Sequence, residues 1–286
     1  MTATAEPRGT ADGATLASDH LVERRSRRPG LKALRDGWTI GKRNLRHFTR
    51  LPRLLVFSTI QPVMFVLLFG TVFDGAVRGA LPNGFPDYLA FVMPGIFIQS
   101  TIFRMTQTAV GLAEDLEKGV IDRFRSLPMA RSGVLIGRTI ADLVRSMAVI
   151  LLMVAVGMAV GFRFGNGPLA AVAAVAIVGV FGYALSWAFV NIAMVAGGTE
   201  SAQSASFVLA FPLSFVSSVF VPTESYSIGW LAAIARNSPV TAAADAARGL
   251  AVAGPVAGPV VKTLIWAAVL LAVFVPLSVA RFRRLE

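Results

Sequence analysis

An all-α integral membrane protein with six transmembrane helices is the fold class this sequence predicts. Three observations carry it. Of the 286 residues, 55% are apolar and only 15% are charged, where a soluble domain carries about a quarter charged residues. The apolar residues gather into runs long enough to cross a bilayer, whose hydrocarbon core, about 30 Å thick, takes about 20 helical residues. The basic residues are segregated from those runs and favour alternate connections.

The elements follow in chain order. Residues 1–30, rich in Ala, Thr, Gly and Arg, read as a disordered tail. They are too polar to supply the apolar region of a secretory signal peptide. The rest, 31–286, reads as one membrane domain. Its first ordered candidate covers 31–50. Leu31, Leu34, Trp38, Leu45 and Phe48 fall near one helical face, and Lys32, Arg35, Lys42, Arg43, Arg46 and Arg50 fill much of the rest. That pattern predicts a basic amphipathic helix on the cytoplasmic leaflet, with Trp38, Arg43 and Arg46 at headgroup level. Spans are expected at 54–73, 88–112, 140–161, 169–195, 205–221 and 262–280. Pro62 interrupts the first lightly, and the second carries Pro94 and Arg104. The stretch 223–261, with Pro239, Pro255 and Pro259, is expected to form short helices at the outer face before the last span.

Orientation comes from the connections. Twelve of the 27 Lys and Arg precede Leu54, five lie in 113–139 and three are Arg281, Arg283 and Arg284. The other side carries Arg78, Arg163, Arg236 and Arg248 only. Twenty against four places both termini and 113–139 in the cytoplasm. The same distribution accounts for the net charge of +11 without a nucleic-acid partner, since no aromatic-interleaved basic module accompanies it.

Composition excludes several chemistries. There are no cysteines, so neither thiolate metal sites nor a cysteine nucleophile is possible. The two histidines, His20 and His47, both precede the first apolar run. No metal site and no catalytic residue is expected. Nor does the chain carry a phosphate-binding Gly-Lys-Ser/Thr motif. Of the lysines, only Lys262 precedes a threonine, and Val261 stands where that motif needs glycine.

The segment 113–139 (AEDLEKGVIDRFRSLPMARSGVLIGRT) is unlike a simple connector. Leu116, Val120, Phe124 and Leu127 share one helical face, and Glu114, Asp115, Glu117, Lys118, Asp122, Arg123 and Arg125 occupy the others. Pro128 ends the run, and Gly119 marks where the extension of the second span gives way. A short mixed-charge amphipathic helix hung between two spans suits docking into a groove on a cytoplasmic partner. Four carboxylates argue against an anionic lipid surface as its resting place.

The string EKGVIDRFRSLPMARSGVLIGRTIADL (117–143) resembles the signature loop of the type-2 ABC transporter permeases, in particular the daunorubicin/doxorubicin resistance exporter subgroup. YLAFVMPGIFIQSTIF (88–103) is similar to that family's second span, and NSPVTAAADAARGL (237–250) to its segment before the last helix. The resemblance covers roughly 40–286. It implies one half of an ATP-driven exporter of the bacterial inner membrane. Two permease subunits, identical or related, would join two copies of a cytoplasmic ATPase subunit. ATP and magnesium would bind on that ATPase and not on this chain. The helix around 119–126 would be the coupling helix, with Glu117, Gly119, Val120, Asp122, Arg123, Phe124, Arg125, Leu127 and Pro128 forming the docking site. The helix at 31–50 would match the family's interfacial connecting helix.

A hydrophobic drug-like or lipid-like substrate would need apolar walls with a few polar anchors. Gln99, Asn191, Phe211, Phe215 and Ser218 are the candidates for that path, with Phe220 as a further wall residue. Polar residues within spans also serve as interhelical glue. Arg104, with Asp142 and Arg145, is either paired or snorkelling near the interface, or a gating charge. The rival function is a proton-coupled secondary transporter. It would require buried carboxylates near the midplane, and the expected boundaries place none at a span centre.

Overall fold

The computed structural model describes residues 60, 61, 63–73, 75, 79, 81, 85–119 and 131–284, with backbone alone for 70, 71, 131–137, 283 and 284. The tail 1–30, the amphipathic segment with Trp38, Arg43 and Arg46, and the start of the first expected span lie outside the described residues. So do Val120, Asp122, Arg123, Phe124, Arg125, Leu127 and Pro128.

The described elements are helical. Residues 60, 61 and 63–67 lead into a π-helical turn, Leu68–Val72. There follow α1 (Tyr88–Glu117), α2 (Arg131–Val160), α3 (Gly167–Ala196), α4 (Thr199–Phe215), α5 (Gly229–Asn237), α6 (Pro239–Ala251) and α7 (Ala257–Arg284). Four stretches are long and apolar enough to cross a membrane: α1, residues 138–160 of α2, α3, and residues 257–282 of α7. They coincide with the second, third, fourth and sixth expected spans.

Local chemistry sets the ends. The Asp87 carboxylate accepts the Ala90 N–H at 2.7 Å and so caps α1. At its other end Lys118 donates its N–H to the Glu114 carbonyl, and Gly119 turns the chain at φ 61°, a left-handed conformation that suits glycine. α1 therefore runs five residues past the expected boundary. At 30 residues it is about 45 Å long, more than a hydrocarbon core requires. Its first two thirds is almost entirely buried. α3 is the other hub and packs against α1, α2, α4, α6 and α7.

The structure corrects two expectations. The fifth span was expected at 205–221; the helix there is Thr199–Phe215. At 17 residues it is about 25 Å long, short of a full crossing. The apolar run 216–221 is turn rather than helix, because its carbonyls are taken by side chains from elsewhere. The second correction concerns 223–261. α5 is an exposed short helix, but α6 is buried against α1, α3 and α7 rather than laid on the outer face. Its buried positions are mostly Ala242, Ala243, Ala244, Ala246 and Ala247. Such small side chains let one backbone enter closely between others.

The closest approach of α1 falls at Gly95, where an added Cβ would lie 2.4 Å from the Val219 carbonyl oxygen. Backbone cannot yield there as a side-chain tip would. Gly95→Ala is expected to cost about 1–3 kcal/mol, read as a lowered Tm of the detergent-solubilised protein. An unchanged Tm would mean that α1 and the 216–221 turn are not in this contact.

Candidate coupling site and transport path

Two groups of side chains sit at opposite ends of the bundle. One end gathers the C-terminus of α1, the N-terminal part of α2, the start of α4 and the last turns of α7. Arg138 of α2 pairs with Asp115 of α1. Lys118 pairs with Glu114, whose carboxylate holds the Lys118 ammonium above its ordinary value. The Oε1 of Glu117 accepts the backbone N–H of Thr199 at 2.9 Å. These contacts tie both stems of the 120–130 segment to the bundle.

Of the nine residues expected to dock a partner, the structure places Glu117 and Gly119, and both lie at this base. Leu116 does not continue into a separate amphipathic face. It belongs to α1 and packs against the core, because the helix ends at Glu117 before Val120 is reached.

At the opposite end stands Arg248 of α6, 3% exposed. Its Nε donates to the Phe91 carbonyl at 2.7 Å. Its Nη1 donates to Asp245 Oδ1 at 2.8 Å and to Ser218 Oγ at 3.0 Å. Its Nη2 donates to the carbonyls of Ser218 and Val219, the latter at 2.8 Å. The guanidinium also lies 3.8 Å from the centroid of the Phe91 ring, a cation–π contact. One side chain thus joins α1, α6 and the turn after α4. Tyr226 adds to this end by donating to the Phe215 and Ser217 carbonyls, at 3.0 and 2.9 Å. Burial pushes its phenol above the ordinary value, so the hydroxyl stays a donor. Counting Arg248 among exposed outer-side charges was therefore mistaken. The bias of basic residues towards the other side survives its removal.

The five path candidates do not converge. Ser218 belongs to the Arg248 cluster and donates to Asp245 Oδ1 at 2.7 Å. Asn191 lies at the other end and accepts from Arg281 Nη1 at 2.6 Å, in the seam between α3 and α7. Gln99 is 1% exposed, and neither of its amide atoms has a partner among the described residues. Phe211 and Phe215 are both 48% exposed on α4. They form part of a longer row. Phe211 meets Phe103 of α1 at 5.3 Å and Phe215 at 5.9 Å between ring centroids. Phe215 meets Phe220 at 5.5 Å, and Phe220 meets Phe69 at 4.6 Å. This continuity across four elements is not visible from the spacing within α4.

Arg104, Asp142 and Arg145 form a third group, among α1 and α2. Asp142 is 6% exposed and its Oδ1 lies 3.7 Å from Arg145 Nη1. Because α2 begins at Arg131, Asp142 is inside the packed bundle rather than at its edge. It lines, with Thr101, Ser146 and Ser186, a cavity of about 10 Å³, about the size that holds one water. Among the described residues no group of His, Cys, Asp and Glu could hold a metal ion.

Comparison with known proteins adds the relationship. The chain matches the family described as ABC-2 type transporter over residues 35–252. It is 32% identical over 241 residues to "Daunorubicin resistance ABC transporter permease protein DrrB1" of Streptomyces coeruleorubidus, covering 84% of this chain and 83% of that one. It is 27% identical over 231 residues to "Probable doxorubicin resistance ABC transporter permease protein DrrC" of Mycobacterium tuberculosis, covering 80% and 82%.

Proposed function

Because the chain belongs to the ABC-2 type transporter family, as a bacterial membrane permease, we propose that it is the membrane-spanning subunit of an ATP-driven exporter. It moves hydrophobic drug-like or lipid-like molecules out of the cytoplasm. A separate ATPase subunit, present in two copies with ATP and magnesium, supplies the energy, and a second permease subunit completes the pathway. The chain lies in the inner membrane with both termini cytoplasmic.

The observation that carries this reading is the base of the 120–130 segment. A connector needs no ties to its surroundings. Here the stems are bound to α1, α2 and α4 by Asp115–Arg138 and Glu117–Thr199, so a force applied to 120–130 reaches several helices at once. Closure of an ATPase on that segment would shift the bundle between two states, and the substrate contributes by binding one state better than the other. The Phe103, Phe211, Phe215, Phe220 row supports an apolar wall for the path, and the unpartnered amide of Gln99 supports a polar anchor that becomes reachable when α1 and α4 separate.

One observation favours the rival. Asp142 is a buried carboxylate whose Oδ2 has no partner among the described residues, the kind of group a proton-coupled carrier uses. Daunorubicin uptake into inside-out vesicles separates the two. ATP should drive uptake, and a protonophore should leave it within about twofold, since about 0.4 kcal/mol is the most that an indirect effect should move. Uptake that ignores ATP and collapses with the protonophore would reverse the assignment.

A further inference from the structure

Glu117 occupies the last position of α1. Its carboxylate is already engaged within the chain, on the N–H of Thr199 at 2.9 Å. Thr199 is the first residue of α4, and the N-cap residue, Gly198, makes no side-chain cap. The opening N–H groups of a helix lack intrahelical acceptors, and a carboxylate there also meets the positive end of the helix dipole. Glu117 thus supplies, from 82 residues away, the cap that α4 does not provide for itself.

The far end of α4 is held as well. The turn that follows it gives the Ser218 and Val219 carbonyls to Arg248. α4 is a helix fixed at both ends, and it carries the exposed rings of Phe211 and Phe215 between them. The neighbouring charges at the base are otherwise matched, Lys118 with Glu114 and Arg138 with Asp115.

We propose that Glu117 is a positioning residue that passes displacement of the 120–130 segment to α4, and through α4 to its aromatic face, without touching the ATPase. This rests on the coupling reading of that segment. It separates Glu117 from Arg123, three residues beyond Val120, which the docking reading assigns to the partner surface.

The test uses membranes containing the complete transporter and reads three quantities: ATPase retained, ATP hydrolysed and substrate taken up. Glu117→Ala should keep the ATPase and its basal hydrolysis while lowering uptake about tenfold, the scale of a lost helix cap. Glu117→Gln keeps an acceptor oxygen and should stay within about threefold. Thr199→Pro removes the donated N–H at a helix position that tolerates proline, and should reproduce the alanine result. The double variant should be no worse than either single one. Amide exchange at 199–202 should quicken in Glu117→Ala, whatever happens to transport. Full uptake in both single variants, or unchanged exchange, would overturn the proposal, as would loss of the ATPase on Glu117→Ala. Arg123→Glu serves as the separate control: if it leaves the ATPase bound, it is the coupling reading that fails, and the exchange result still decides the role of Glu117.

Discussion

Replacing Arg248 with alanine is expected to destabilise the membrane domain by about 3–5 kcal/mol, the scale for breaking a buried, hydrogen-bonded charge by removing one side of it. The loss is large because five acceptors depend on one guanidinium. The carbonyls of Phe91, Ser218 and Val219 and the Ser218 hydroxyl are buried with it. Each buried acceptor left without a donor costs about 1–3 kcal/mol before relaxation. Asp245 is 40% exposed and recovers by hydration. Arg248→Lys should rescue only part, since an ammonium is a compact charge that cannot fork across two segments. Both effects are read as Tm in detergent. An alanine variant as stable as the parent would show that the 216–221 turn and α1 are held together by something else.

The second large effect is expected at Arg123. Charge reversal there should release the ATPase, with an affinity loss of roughly thirtyfold or more, corresponding to about 2–5 kcal/mol for a buried charge pair at an interface. Arg123 belongs to a face that also carries Asp122 and Arg125, and the hydrophobic Val120, Phe124 and Leu127 would supply the buried side of the contact. A parallel reversal at Arg163 or Arg236, on the opposite side by the charge bias, should leave association unchanged. Association that survives Arg123→Glu would move the docking surface elsewhere on the chain.

Both effects bear on what could be read from the residues. α1, α3 and α7 were legible because long apolar runs leave little choice of secondary structure. α4 was misplaced because the run 205–221 is apolar throughout, while its ends are set by tertiary contacts: Glu117 starts the helix and the Arg248 cluster ends it. Neither contact has a local signature, since the partners are separated by 82 and by about 30 residues. α6 looked interfacial because alanine gives only a weak hydropathic signal, yet alanine is the residue that permits its insertion. The one available clue to Arg248 was an arginine among six nearby alanines, Ala242 to Ala247 with Ala251, a place where a solvated charge would have brought other polar residues with it. Asp142 was read as peripheral because the third span was begun nine residues late, at 140 rather than at Arg131.

The two sites make one mechanical statement. The end that carries Glu117, Asp115 and Arg138 receives force, and the end that carries Arg248 anchors it. α1 and α4 run between the two with Phe103, Phe211 and Phe215 along them. The central claim is that this force comes from a separate ATPase, and capture of the tagged chain from its native membranes in mild detergent, with mass spectrometry of what accompanies it, tests that most directly. The account predicts a soluble P-loop protein in the eluate, lost on Arg123→Glu and retained on Glu117→Ala. A chain that elutes without any ATPase even after cross-linking, while the membranes still export substrate, would contradict it.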